Sequence, residues 1–139
     1  ALMVIDTAAL LVILQDERER RAFTEAIEAA EGRAMSAATF VESSIVIEAR
    51  YGAEGLRDLD LLIAKAKIEI VPVDLEQAHT ARLAFSRFGR GRHPAALNYG
   101  DCFSYALAKV LASPLLYKGA DFAQTDIATV VLDLGHSHS

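Results

Sequence analysis

The sequence lacks several features that identify particular classes of protein. It has no tryptophan and only one cysteine, Cys102, among its 139 residues. A disulfide framework and a zinc site built from several thiolates of one chain are therefore excluded, and we expect a reducing, cytoplasmic setting. No apolar run approaches the ~20 residues that a membrane span needs. The first apolar stretch is not preceded by basic residues, which argues against a secretory signal.

An excess of positive charge is also missing. The chain has 14 Lys and Arg against 19 Asp and Glu, giving a net charge of -5, which argues against a protein that coats nucleic acid through bulk charge. With 53% hydrophobic and 24% charged residues, the composition is typical of a globular protein. We interpret residues 1–139 as a single domain, with residues 1–2 and 136–139 as terminal additions.

Short apolar segments alternate with longer amphipathic segments along the chain. Strands are predicted at 2–5, 33–35, 68–73, 115–117 and 128–133. Helices are predicted at 7–15, 17–31, 37–50, 54–67, 74–88 and 100–111, with loops at 89–99 and 118–126. This alternation predicts an α/β sandwich with a largely parallel sheet.

Four acidic residues occupy positions where an ionised carboxylate needs an explanation. Asp6 follows the first strand, and Asp121 comes four residues after the strand at 115–117. Both are expected at the edge of the sheet where sites form in parallel folds. Glu42 lies on the apolar face of its helix, and Asp101 begins the mostly apolar helix at 100–111. Each acid alone has a structural explanation, such as a helix cap, an ion pair or a loop turn.

Taken together, the four acids indicate a metal site. Converging carboxylates cannot all remain ionised without a counter-charge, and a hard divalent cation such as Mg²⁺ or Mn²⁺ prefers oxygen ligands. A metal of this kind activates water and stabilises charge on a phosphate. Acids without paired cysteine or histidine ligands therefore indicate phosphodiester hydrolysis.

Four segments carry a resemblance to a known family. They are MVIDTAALLVIL, MSAATFVESSIVIEAR, LNYGDCFSYALAK and LLYKGADFAQTDI, in this order over nearly the whole chain. On these segments the chain resembles the PIN-domain ribonucleases, in particular the VapC-type toxins of bacterial VapBC toxin–antitoxin modules. The resemblance implies a three-layer α/β/α sandwich with a short, mainly parallel sheet, and endoribonuclease activity that depends on Mg²⁺ or Mn²⁺.

The same resemblance implies site residues and partners. It assigns four acids to catalysis and metal binding: Asp6, Glu42, Asp101 and Asp121. Asp6 and Asp101 are the expected direct ligands, Glu42 comes next, and Asp126 is an alternative to Asp121 as the fourth acid. The implied partners are an RNA substrate, a cognate VapB-type antitoxin that covers the active-site groove, and a second copy of the chain in a homodimer.

A basic, glycine-rich segment, SRFGRGRHP, lies shortly before Asp101. We expect it to offset the negative charge of the site and to grip RNA phosphates, although a solvated surface loop is an alternative. The candidate substrate-binding residues are Thr7, Arg87, Arg90, Arg92 and Lys118. Thr7 takes the family's small hydroxyl position beside the first acid, and Lys118 follows the strand that leads to Asp121.

Two other functions remain open from the sequence. A PIN-like binding or scaffold module would keep the fold without catalysis, but the presence of all four acids argues against it. A phosphoryl-acceptor α/β domain would also carry an acid after the first strand. However, Ala8 stands where the Asp-x-Asp form of that motif has its second acid. The RNA target, the number of metal ions and the dimer surface are not specified by the sequence.

Overall fold

The computed structural model describes residues 2–132, which form four strands and five helices. The elements in chain order are β1 (Leu2–Ile5), α1 (Thr7–Leu14), α2 (Arg20–Ala29), β2 (Gly32–Ser36), α3 (Ala37–Ala66), β3 (Ile68–Val71), α4 (Leu75–Phe88), α5 (Tyr99–Val110) and β4 (Leu115–Leu116). A single 3-10 turn, Phe122–Gln124, follows β4. None of the helices within residues 2–132 has the length and hydropathy to cross a bilayer.

The four strands make one parallel sheet in the order β3-β2-β1-β4. Side chains alternate between the two faces of a strand, so Val4 and Ile5 of β1 are buried in different cores. Val4 packs in a cluster with residues of α4 and α5, whereas Ile5 packs with residues of α1, α2 and α3. The sheet is thus covered on both faces, which confirms the predicted three-layer α/β/α sandwich with a parallel sheet.

Long helix α3 contains the two helices predicted at 37–50 and 54–67. They meet at Gly52, whose φ of 67° and ψ of -154° are not helical. This backbone region is essentially restricted to glycine. The break predicted between these two helices therefore corresponds to a kink at Gly52 that redirects the chain without ending the helical segment.

The predicted last strand, 128–133, is much reduced in the structure. Among the described residues 128–132, a single parallel bridge forms, between Leu115 and Thr129, supported by backbone hydrogen bonds of Leu115 with Ala128 and Val130. The partner strand β4 is only two residues long, which limits how far a ladder can extend. Asp133 and the terminal residues 1 and 136–139 lie outside the described residues.

The carboxyl ends of the parallel strands meet at one edge of the sheet, where α/β folds place their sites. Asp6 comes directly after β1, Ser36 ends β2 and begins α3 as its N-cap, and the segment after β4 leads to Asp121. Asp6 is also joined to the end of β4, because its backbone N–H donates to the carbonyl of Leu116 at 3.0 Å. The fold therefore brings distant parts of the sequence to the end of β1.

Candidate active site

Asp6 is a buried carboxylate with both oxygens engaged, and only 5% of the residue is exposed. It is the N-cap of α1, where its Oδ2 accepts a hydrogen bond from the backbone N–H of Ala8 at 3.2 Å. Its Oδ1 accepts a hydrogen bond from Ser104 Oγ at 2.6 Å, and Ser104 Oγ lies 3.2 Å from Thr39 Oγ1. The Asp6 carboxylate is therefore fixed by a helix terminus and a buried hydroxyl pair.

Glu42 is half-buried on α3 and is held by hydroxyl groups from α1 and α3. Thr7 Oγ1 donates to Glu42 Oε1 at 2.8 Å, and Ser43 Oγ donates to Thr7 Oγ1 at 3.0 Å. On its other side, the Glu42 carboxylate lies against Gly100 of α5, where a Cβ atom would overlap it. Glu42 therefore fills a narrow space between the starts of α1 and α5.

Asp101 is part of a capping box at the start of α5. Its Oδ2 accepts from the backbone N–H of Asn98 at 2.9 Å, and its own N–H donates to Asn98 Oδ1 at 2.9 Å. This arrangement satisfies two N–H groups of the helix terminus. The prediction that Asp101 begins a helix is confirmed, and the capping box fixes its carboxylate relative to the helix axis.

Mutual repulsion among the acids is visible in their pKa values. The pKa of Asp6 is raised to about 6, chiefly by burial, with the charges of Asp101 and Glu42 adding to the rise and the hydrogen bonds from Ser104 and Ala8 opposing it. Burial also raises the pKa of Asp101, with the charges of Glu42 and Asp121 adding to the effect. The structure thus brings all four predicted acids into one electrostatic cluster, called the acidic cluster below: Asp6, Glu42, Asp101 and Asp121.

Asp126, the alternative fourth acid, has different partners. Its carboxylate accepts from Tyr105 at 2.5 Å and Lys109 at 2.9 Å, and Arg87 lies 3.3 Å away. Burial alone would raise the pKa of Asp126, but these hydrogen bonds and charges lower it to about 2. Asp126 thus fastens the C-terminal segment to α4 and α5, while Asp121 is the acid that acts on Asp101.

The predicted basic residues are distributed over three environments. Arg90 acts on Asp101, whose pKa it lowers. Arg87 pairs with Asp126 and lies over the ring of Phe88, whereas Arg92 lies over the ring of Phe85. Lys118 forms ion pairs with two acids of the α1–α2 connection, Glu17 and Glu19. Arg90 is therefore the predicted clamp residue that the structure couples to the acidic cluster.

The donor set of the acidic cluster fits a hard divalent cation bound by few side chains. Within residues 2–132, no three His, Cys, Asp or Glu side chains stand close enough together to enclose a metal ion. Mg²⁺ characteristically keeps several waters and takes one or two protein carboxylates. Asp6 and Asp101 suit that mode, because the charge of Asp101 raises the pKa of Asp6. The Glu42 carboxylate, whose charge raises the pKa values of both groups, suits a contact to the ion through water.

Three supporting residues were not predicted from the sequence, although each has a local signal. Ser104 is a polar residue within the apolar part of α5, three positions after Asp101. Ser43 directly follows Glu42, on a helix whose buried face is otherwise mostly apolar. Gly100 directly precedes Asp101 inside a helical turn, where glycine is unfavourable. Their partners lie more than 30 positions away in the sequence, so local patterns do not identify them.

Comparisons with known proteins agree with the fold and the resemblance. The family model described as PIN domain matches residues 3–128. Ribonuclease VapC30 of Mycobacterium tuberculosis is 53% identical over 130 residues, which cover 94% of this chain and 99% of that protein. Ribonuclease VapC of Mycolicibacterium smegmatis is 53% identical over 128 residues, covering 92% and 99%.

A solved structure adds a likeness of fold. VapBC2 from Rickettsia felis, crystallised with a DNA fragment from its promoter, superposes with a TM-score of 0.76 at 11% identity. The match covers 96% of this chain and all of that one. At this identity the likeness concerns the fold alone.

Replacing Asp6 by Asn is expected to stabilise the metal-free protein at pH 7.5. Because folding raises the pKa of the Asp6 carboxyl group, the ionised carboxylate destabilises the folded state at pH values above that raised pKa. This destabilisation disappears as the pH falls and the group becomes protonated. The difference between about 6 and the usual 3.8, at about 1.4 kcal/mol per pH unit, predicts a gain of about 3 kcal/mol.

Urea unfolding with chelator present measures this gain. It should fade between pH 6 and pH 4, where Asp6 of the parent becomes protonated. An Asp6→Asn variant that is no more stable than the parent at pH 7.5 would contradict the electrostatic cost assigned to Asp6.

Asp126 and Asp121 are expected to differ in their effect on stability. Replacing Asp126 by Asn removes charge-assisted bonds to Tyr105 and Lys109 and should lower the free energy of unfolding by about 1 kcal/mol at pH 7, a figure reduced by partial exposure. Replacing Asp121 by Asn removes a charge that repels Asp101 and should cause no loss. Equal losses for the two variants in urea unfolding would show that the two acids have been assigned the wrong roles.

Proposed function

This chain belongs to the PIN-domain family and, within it, to the VapC ribonucleases, and we propose on that basis that it is a metal-dependent endoribonuclease toxin. The observation that carries the proposal is the acidic cluster, in which buried and hydrogen-bonded carboxylates repel one another at the end of β1. The substrate proposed is RNA and the reaction is hydrolysis of its phosphodiester bonds. The phosphoryl-acceptor alternative is not supported by the comparisons.

The proposed cofactor is Mg²⁺ or Mn²⁺, held directly by Asp6 and Asp101, with Glu42 and Asp121 acting directly or through water. When bound, such an ion supplies an activated water and stabilises the charge that develops on the phosphate. Residues of the chain orient the carboxylates that would hold the ion. Ser104 fixes one oxygen of Asp6, and the capping box fixes one oxygen of Asp101, so that few side chains need to reorganise when substrate arrives.

Arg90 is proposed to offset the negative charge that the acidic cluster presents to an RNA phosphate. Its influence on Asp101 places positive charge beside the carboxylates, and arginine forms paired hydrogen bonds with phosphate. Arg87, Arg92 and Lys118 have protein partners in the structure. We expect these three basic residues to contribute to RNA binding through long-range electrostatic attraction. Thr7 would act indirectly, by holding the Glu42 carboxylate through its hydroxyl group.

A VapB-type antitoxin is the proposed inhibitory partner. Val41 and Ile45 lie one helical turn apart on α3, beside Glu42, and are 53% and 62% exposed. An exposed apolar strip next to a charged site is typical of a protein-binding surface. An antitoxin segment that covers this strip would place a basic side chain within reach of the acidic cluster.

A homodimer is the other proposed assembly. Three residues of α4, Leu75, Ala78 and Phe85, are exposed. The buried apolar residues of α4 are Ala81, Ala84 and Phe88, and they belong to the same core cluster as the buried residues of α5. Ala78 and Phe85 line an apolar groove together with residues of α5. Its lining consists of Ala78, Ala81, Arg82, Phe85, Tyr99, Cys102 and Phe103.

The nuclease proposal predicts metal-dependent cleavage by the purified chain alone. With Mg²⁺ or Mn²⁺, single-stranded and looped RNAs should be cut, and chelator should abolish the cleavage. Asp6→Asn and Asp101→Asn should each reduce the rate by about 100-fold or more, because each removes a proposed metal ligand. Asp60→Asn, at an exposed position of α3, serves as the matched control and should leave the rate unchanged.

Two results would count against this function. Cleavage by Asp6→Asn at the rate of the parent would show that the acidic cluster is not the active site. A parent that neither cuts RNA nor binds Mn²⁺ in calorimetry would favour the inactive scaffold.

The dimer proposal is tested by two variants in which an alanine is replaced by glutamate. Ala78→Glu places a charge in the apolar groove and should convert a dimer into a monomer, measured by light scattering after gel filtration. Ala64→Glu makes the same change at an exposed position of α3 and should leave the mass unchanged. A dimer that persists in Ala78→Glu would show that the copies associate through another surface.

A further inference from the structure

Gly100 occupies the first turn of α5 for a reason other than backbone freedom. It lies between the N-cap Asn98 and Asp101 of the capping box. Its φ is not positive, in contrast to Gly52, Gly91 and Gly119. Any residue could adopt this backbone conformation, and alanine would favour the helix more than glycine does. The glycine must therefore be explained by what lies next to its Cα atom.

The Glu42 carboxylate occupies the space that a side chain at position 100 would need. The three atoms nearest to an ideal Cβ on Gly100 are Oε2, Cδ and Oε1 of Glu42, all closer than real Cβ contacts allow. The close neighbour is therefore the end of one side chain, and no backbone atom is among the three. By contrast, Gly55 and Gly89 each have a backbone oxygen among their nearest neighbours.

Two further contacts determine how Glu42 can respond to crowding. Thr7 Oγ1 holds Glu42 Oε1 at 2.8 Å, and Ser43 in turn donates to Thr7. A methyl group at position 100 would push the carboxylate away, at the cost of that hydrogen bond. The displaced carboxylate would also leave the positive end of α5, where a negative charge is stabilised.

We propose that Gly100 is a positioning residue whose missing side chain makes room for the Glu42 carboxylate beside Asp101. This inference rests on the proposed function, in which Glu42 helps to hold a divalent cation. Glycine at this position lowers the helix propensity of α5, but the absence of a side chain allows Glu42 to remain within the acidic cluster. The chain is expected to tolerate a small residue here structurally, while losing metal affinity.

The test is a double-mutant cycle of Gly100→Ala and Glu42→Ala, read by calorimetric titration with Mn²⁺. Gly100→Ala alone should weaken Mn²⁺ binding by about tenfold, the scale on which supporting residues act. In the Glu42→Ala background, the same change should cause no further loss, because its effect passes through Glu42. Unaltered binding by Gly100→Ala would overturn the inference, and so would an equal loss in both backgrounds.

Thermal unfolding of the metal-free variants separates this inference from the nuclease proposal. Gly100→Ala should raise the melting temperature in the Glu42→Ala background, where only the gain in helix propensity remains. In the parent background the rise should be smaller or reversed, because the carboxylate is displaced. Equal rises in the two backgrounds would overturn the inference, even if the parent binds no Mn²⁺ and the proposed function fails.

Discussion

Repulsion between carboxylates that cannot move apart is the constraint on which the site depends. Asp6 is fixed at the end of a buried strand, and the half-buried Asp101 is fixed by the capping box at the first turn of α5. Burial and the neighbouring charges together raise the pKa values of both groups. The fold therefore carries an electrostatic cost at one edge of its sheet, which a bound cation would relieve.

The acids are held mainly by neutral groups, which leaves their charge available. Hydroxyl groups of Thr7 and Ser104 donate to Glu42 and Asp6, and backbone N–H groups donate to Asp6 and Asp101. Within residues 2–132, none of the ion pairs reaches these three acids. A buried lysine or arginine would have neutralised the cluster permanently. Hydroxyl donors fix the geometry and leave the negative charge for a ligand.

The α/β sandwich with a parallel sheet, and the positions of Asp6 and Asp101 at the ends of apolar elements, could be predicted from the sequence because each depends on local pattern. Strand-like and helical segments alternate, and Asp6 and Asp101 stand beside apolar elements with clear boundaries. The supporting contacts depend on pairs far apart in the chain, such as Ser104 with Asp6, which periodicity does not reveal. For the same reason the sequence left Asp121 and Asp126 as alternatives. Their surroundings differ because Tyr105 and Lys109 of α5 donate hydrogen bonds to Asp126.

The pKa values and the proposed function together predict that the acids of the acidic cluster repel one another and that a divalent cation would relieve this repulsion. The most direct test is a carbon-13 NMR titration of the Asp6 carboxyl group, with and without Mg²⁺. We expect a pKa of about 6 for Asp6 in the absence of metal, and a clear fall when Mg²⁺ is added, because the cation favours the ionised form. An Asp6 pKa in the ordinary range without metal, or one that Mg²⁺ leaves unchanged, would contradict the account.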